Sequence, residues 1–213
     1  MLKKKKSFKS DSISESCKIF SLDISQERTG WAYLEDDKVQ DYGAITRENY
    51  FDKDAVTFNS SEFGNMLAAY CQKVWQVFET CVSEFGEPSH FVVEDLNIRY
   101  IKAAKSLLQF QAAAKIAISQ NTAGTTEIHM INNQTVKAFM GVRTLKKNMT
   151  KEVKALAKFH KVKEVKILMV DRIAELYPET NLHYKENDEA DAIAQAYTFY
   201  HKIIKGVKNA EVL

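Results

Sequence analysis

Proline and glycine are scarce in this chain, with 2 and 7 copies among 213 residues. That scarcity excludes a collagenous, loop-rich or low-complexity architecture and leaves most of the chain free for helix and strand. Cysteine is scarce as well. Cys17, Cys71 and Cys81 contain no CxxC pair, and their odd number suits a reducing compartment better than a secreted disulfide framework. A thiolate zinc site is therefore not expected. No run approaches the roughly 20 apolar residues of a bilayer-spanning helix, so no membrane association is expected. The basic opening leads into Ser10-Asp11-Ser12-Ile13-Ser14-Glu15, which lacks the apolar core of a secretory signal. The expected location is cytoplasmic. Neither a GxSxG nor a Cys-His-Asp arrangement is present to support nucleophilic catalysis.

What is present is an ordinary globular composition, 45% hydrophobic and 27% charged. A chain of this size buries about 70% of its unfolded surface and needs no disulfide or metal staple to fold. Its net charge of +2 is unevenly spread. Lys3, Lys4, Lys5, Lys6 and Lys9 give the first ten residues +5 with no acid, and residues 1–15 read as a disordered basic arm. Residues 16–213 then form one domain. Within it, residues 137–166 carry ten lysines and arginines against Glu152 and Glu164, a local +8 in an otherwise acidic body. Two readings are open: a solvated lysine-rich helix face, or a surface for a polyanion.

Lys18–Ile24 is a short, apolar, β-prone run, and Thr29–Leu34 and Lys38–Ile45 follow it across polar turns. These three strands read as an antiparallel meander. A loop or excursion over 46–60 precedes a helix over 61–85, whose apolar residues recur every three and four positions. His90–Glu94 is a buried strand, 101–121 an Ala/Gln-rich helix, and Glu127–Ile131 a fifth strand. Asn132 or Asn133 could cap the helix that follows. Further helices are expected over 150–160, 165–177 and about 188–205. Helical crossovers between apolar strands imply parallel pairing. The fold class is α/β, with a mixed five-stranded sheet flanked by helices.

Asp23 and Glu94 interrupt or end apolar strands near the centre of this sheet, where an unpaired charge costs several kcal/mol. The neighbouring cations Arg28 and Arg99 lie in turns rather than on facing strands. A divalent metal is the cleaner compensation, because Mg²⁺ is held by a few carboxylates and substrate phosphate oxygens. Asp188 and Asp191, three apart at a helix start, project from nearly one face. Ala190, Ile193, Ala194, Tyr197 and Ile204 form an apolar stripe on the opposite side, but the acid side also carries Ala192 and Phe199 and so is not a plainly solvated surface. Favourable interaction with the helix dipole is the alternative account of those acids. Together the four carboxylates are a set that two metal ions about 4 Å apart can share to clamp an in-line attack on phosphorus.

At this point the sequence resembles the RuvC family of Holliday-junction resolvases, within the RNase H-like nucleases. The matching stretches are Ser21-Leu22-Asp23-Ile24-Ser25 with Thr29-Gly30-Trp31-Ala32, then Val92-Val93-Glu94-Asp95 and the helix Ala103 to Ser119. Beyond them come Asn133-Gln134-Thr135-Val136-Lys137, Leu145-Lys146-Lys147 and Asp188-Glu189-Ala190-Asp191-Ala192-Ile193-Ala194. The resemblance implies an RNase H-like homodimer that uses two Mg²⁺ ions per site, with Mn²⁺ as a substitute. It would nick two strands of branched DNA symmetrically, a four-way junction foremost, leaving 5′-phosphate and 3′-hydroxyl ends. Asp23, Glu94, Asp188 and Asp191 would be the catalytic metal ligands. Lys137 and Lys146 or Lys147 fall where the family contacts DNA phosphate, with Arg143 beside them. Asn97 stands where the family often has an aromatic wedge, and Tyr100 is the aromatic that could replace it. The basic arm, the 46–60 segment and the 165–177 helix look like additions to the compact bacterial form and suggest a phage or other viral branch.

Two other classes are weighed against this one. An actin-like ATPase or sugar kinase also opens with an apolar strand, Asp and a Thr-Gly hairpin, but needs glycine-rich phosphate loops and a second lobe. A catalytically inactive RNase H-like DNA-binding protein would not need all four acids. Ser25 is read as a turn hydroxyl, with a place in a metal's water shell as the alternative. His129 is read as a core or edge residue, and His90, His160, His183 and His201 show no metal-ligand spacing.

Overall fold

Continuous apolar runs form strands buried on both faces, and the sheet is built around two of them. The computed structural model describes residues 16–49, 60–96, 101–122, 126–142 and 148–208. The basic arm and the excursion over 50–59 lie outside the described residues. Strands β1 (Lys18–Asp23), β2 (Arg28–Glu35) and β3 (Lys38–Thr46) form the expected antiparallel meander. Its second turn is tight, with Asp36 at φ 53°, a conformation that Asp tolerates better than bulkier residues. Helix α1 (Ser60–Phe85) leads to β4 (His90–Asp95), and α2 (Ile101–Asn121) to β5 (Glu127–Asn132). Both β4 and β5 join in parallel, giving the order β3-β2-β1-β4-β5. The central pair, β1 and β4, carries Ile19, Phe20, Leu22, Phe91, Val92 and Val93, all without solvent exposure.

Period-two alternation sends these side chains into two separate cores. Phe20, Leu22, Tyr33, Phe91 and Val93 pack against Tyr70, Val74 and Phe78 of α1 and Phe110, Ala114 and Ile118 of α2. On the other face, Ile19, Ala32, Leu34 and Val92 meet the C-terminal helices. These are α3 (Asn133–Phe139), α4 (Lys151–His160), α5 (Glu164–Leu176) and α6 (Asn187–Thr198), the last continuing as a π-helical segment over Phe199–Ile204. Helix α4 reaches the body through α5, by Val153 and Ala157 against Ile167.

Helix α6 is buried well beyond its expected apolar stripe. Every residue from Glu189 to Thr198 is buried, so the acids do not sit on a face opposite the core. Ile204, expected in the apolar stripe, is exposed. Alanine at 190, 192, 194 and 196 gives this helix a low profile, and Ser21 Oγ of β1 donates to the Ala192 carbonyl at 2.8 Å. A helix that smooth lies close to the sheet, and so it is covered all round.

Gly30 sets how close. A β-carbon there would overlap the carbonyl group of Asp188 and come within 2.8 Å of the Glu189 amide nitrogen. The start of α6 therefore rests directly on the backbone of β2. Gly64, exposed on α1, has nothing within 4 Å of its would-be β-carbon. Gly30→Ala should cost about 1–3 kcal/mol by overpacking, whereas Gly64→Ala should add about 0.5–1 kcal/mol through helix propensity. Urea unfolding of both variants measures the contrast. Equal effects would show that α6 does not depend on this contact.

Candidate metal centre

The C-terminal ends of β1 and β4 and the N-terminal end of α6 converge on one spot. Asp23 closes β1, while Asp188 and Asp191 lie in the first turns of α6. A carboxylate oxygen from each lies within 4.8 Å of the other two. Glu94, near the end of β4, stands beside this trio. It is close enough to act on the charges of Asp23 and Asp191, but one of its oxygens accepts a hydrogen bond from Asn133 Nδ2 at 2.9 Å. Gln111 of α2 donates to the Glu94 carbonyl and anchors the strand end. Gln195, one turn after Asp191 on α6, donates to Asp23 Oδ1 at 3.1 Å.

Burial dominates the electrostatics. It pushes the Asp23 carboxyl well above its usual range, helped by the charges of Asp191, Glu94 and Asp188 and opposed by Lys166. Burial also raises Asp191 and Glu94. Lys166 and Lys137 pull Asp191 back down, and the Asn133 bond does the same for Glu94. Two cations hold the cluster together. Lys166 Nζ bridges Asp188 Oδ1, at 3.2 Å, and Asp191 Oδ2. Burial alone would lower the Lys166 ammonium, but Asp191, Asp23 and Asp188 more than reverse that and hold it above its ordinary value. Arg28 Nε lies 3.7 Å from Asp188 Oδ2, and its guanidinium pairs with the buried Glu189.

Arg28, expected in a turn, is instead the first residue of β2 and reaches the acids. The turn just before it is fixed by Ser25, whose hydroxyl donates to the Arg28 carbonyl at 2.8 Å. Ser25 is accordingly a turn residue. Lys166, counted in the basic surface segment, is one of the cluster's own counter-ions. Lys137 on α3 is close enough to act on Glu94 and Asp191. Arg143, Lys146, Lys147, Asn97, Arg99 and Tyr100 lie outside the described residues. The helix cap is Asn132, whose side chain accepts from the Gln134 amide at 2.8 Å, which frees Asn133 for Glu94.

Oxygen donors converging from three carboxylates suit a hard divalent cation. The ammonium of Lys166 already stands where such a charge is wanted. Asp23, Asp188 and Asp191 therefore fit a metal site, with Glu94 placed to add a ligand if it exchanges its bond to Asn133.

No protein-family model matches the sequence, and no curated protein does. Solved structures do. Thermus thermophilus RuvC superposes with a TM-score of 0.57 at 12% identity, covering 89% of this chain and 96% of its own. The T. thermophilus RuvC structure in complex with Holliday junction substrate gives 0.55 at 13% identity over the same shares. The yeast mitochondrial Holliday junction resolvase Ydc2 gives 0.50 at 11%, covering 89% and 81%. The chain has a RuvC-like fold. In this RuvC-like fold the converging strand ends and the start of α6 are the acidic centre described above.

The raised Asp23 pKa carries a stability prediction for chelator-treated protein. A carboxyl raised on folding stabilises the fold below its unfolded pKa, about 3.9, and that contribution is lost as pH rises through the folded value. Asp23→Asn removes the titration. The melting temperature of the variant relative to the unsubstituted protein should therefore climb between pH 4.5 and pH 8. A constant difference across that range would mean that Asp23 does not carry the strain.

Proposed function

We propose that this chain is a metal-dependent, structure-selective endonuclease that cuts branched DNA, four-way junctions foremost, by paired symmetric nicks. The observation that carries the reading is the meeting of Asp23, Asp188 and Asp191 within 4.8 Å, with Glu94 beside them, on a RuvC-like fold. These four residues would hold two Mg²⁺ ions, or Mn²⁺ in their place. What such ions supply when bound is a water acidic enough to attack phosphorus and a counter-charge for the leaving oxygen.

The chain's own residues do the rest. Gln195 fixes the rotamer of Asp23, so that carboxylate is oriented before substrate arrives, and Asn133 holds Glu94 beside the trio until it exchanges that bond. Lys137, close enough to act on Glu94 and Asp191, is placed to meet a phosphate at the same centre. Arg143, Lys146, Lys147 and Tyr100 are proposed DNA contacts from a neighbouring segment. Lys151, Lys154 and Lys158 are exposed along α4, and Lys161 and Lys163 follow them, which supports a broader track for the backbone. No described helix is long and apolar enough to cross a membrane.

Incubating a labelled synthetic four-way junction with the protein in Mg²⁺, Mn²⁺ or EDTA tests the reading. Cleavage should require the metal and give ligatable ends. Asp23→Asn should reduce cleavage by more than about a hundredfold, or roughly 3 kcal/mol of barrier, while junction affinity in EDTA is kept. Equal loss of binding and cleavage in a folded variant would remove the proposed division between acidic centre and basic surface.

Symmetric nicking needs two active sites, and the surface supports a homodimer. Leu108, Ala112 and Ile116 form an exposed stripe on α2 with the i, i+4, i+8 spacing of one helix face. Ile128 and Met130 are exposed on β5, at the sheet edge. Lys115 Nζ lies 3.0 Å from Met130 Sδ, joining the two elements. A contiguous apolar surface of this kind on a free-standing protein marks an interaction site. Ile116→Glu with Met130→Glu should convert a dimer to a folded monomer by light scattering on a sizing column. An unchanged mass would move the interface elsewhere.

A further inference from the structure

A second group of donors lies on the same sheet face as α6, at the opposite end from the carboxylates. Parallel pairing sets His90 of β4 opposite Glu127 of β5, and Val92 opposite His129. The three side chains consequently share the face of Val92. His90 Nδ1 is 3.1 Å from His129 Nε2, His129 Nε2 is 3.3 Å from Glu127 Oε2, and His90 Nδ1 is 3.8 Å from Glu127 Oε2. We propose that His90, His129 and Glu127 form a second metal site, for Zn²⁺ or a similar imidazole-seeking ion, that ties edge strand β5 to β4.

The distances are those of a coordination polyhedron. Zinc binds nitrogen and carboxylate oxygen at about 2.0–2.2 Å, so the edges of its tetrahedron are about 3.3–3.5 Å. The observed triangle matches these edges to within about half an ångström. Hydrogen bonding satisfies such a triad less well, since one N–H placed between the two imidazoles leaves the carboxylate poorly served. A cation at the centre serves all three.

The ligands are also held ready. The Phe199 ring, at the start of the π-helical segment, packs against both imidazoles, with centroids 5.2 Å from His90 and 4.5 Å from His129. At the head of β5, the Glu127 amide bonds the Ser89 carbonyl at 2.9 Å and Thr126 Oγ1 bonds that of Pro88 at 2.8 Å. Glu127 is exposed, so solvent can supply the fourth ligand. Four residues of strand, about 13 Å, separate His90 from Glu94. The donor chemistry differs as well: imidazoles favour zinc, copper and nickel, whereas an all-carboxylate centre favours magnesium and manganese. This inference does not depend on the nuclease reading.

The full chain, stripped with chelator, is titrated with ZnCl₂ by calorimetry, and CoCl₂ is used as a spectroscopic probe. One equivalent of Zn²⁺ should survive in the Asp23→Asn/Asp188→Asn double variant, and bound Co²⁺ should show the visible absorption of a four-coordinate ion. Loss of a second-layer partner alone costs about 10–100-fold in metal affinity, so His129→Gln should weaken Zn²⁺ by more than about tenfold. Glu127→Gln, an exposed change that spares the fold, should weaken it as well, with circular dichroism confirming that both variants are folded. The proposal is overturned if Zn²⁺ binding is absent, if neither substitution alters it, or if it disappears in the double-acid variant.

Discussion

Everything at the acidic centre depends on the contact between the first turn of α6 and the backbone of β2 at Gly30. It brings Asp188 and Asp191 down onto a sheet in which Asp23 already ends a buried strand. Like charges at such separations repel strongly in a low-dielectric interior. The fold accepts the arrangement because apolar packing along the rest of α6, from Ala190 to Tyr200, holds the helix in place. Electrostatic strain at one end is offset by burial along the remainder, a distribution common at functional sites.

Charge compensation explains why the cluster folds at all. Lys166 enters from α5 and Arg28 from the first position of β2, so each cation comes from an element other than those supplying the acids. Neither neutralises Asp23 directly. Among the described residues, the Asp23 side chain has the neutral amide of Gln195 as its hydrogen-bond partner, and the Gln195 Oε1 atom is buried with no partner among them. The two strand carboxylates, Asp23 and Glu94, thus each rest on one neutral amide, while the cations pair with Asp188 and Asp191 of the helix. That asymmetry is what a centre awaiting an external cation would show.

Much of this was legible in the residues. Continuous apolar runs marked β1 and β4 because strands covered on both faces cannot alternate, and the DxxD spacing placed Asp188 and Asp191 together. Lys166 was hidden because it closes a run in which lysines recur at 158, 161 and 163, and only the course of α5 separates it from the solvated ones. Arg28 escapes the pattern because its polar neighbours suggest a turn, whereas it opens β2 beside the closely packed start of α6. Ala192 and Phe199 on the acid side of α6 hinted that it is not a solvated face, but full burial of Glu189, Asp191 and Gln195 depends on contacts across the sheet that spacing does not reveal. His90 and His129 showed no motif, being 39 residues apart, because their proximity is created by parallel strand register alone.

Register also links the two ends of that sheet face. Helix α6 runs antiparallel to β4, so its first turn meets the strand's end at Glu94 while its π-helical continuation meets the strand's start at His90. The wider π turn places Phe199 over the two imidazoles. One helix therefore serves two clusters, acidic where it begins and imidazole-rich where it finishes. A shift of α6 along its axis would disturb both, so any change in how its first turn seats on Gly30 would be felt at Phe199 as well. Because β5 carries His129 on one face and the exposed Ile128 and Met130 on the other, rigidity at the imidazole cluster would pass directly to the apolar sheet edge.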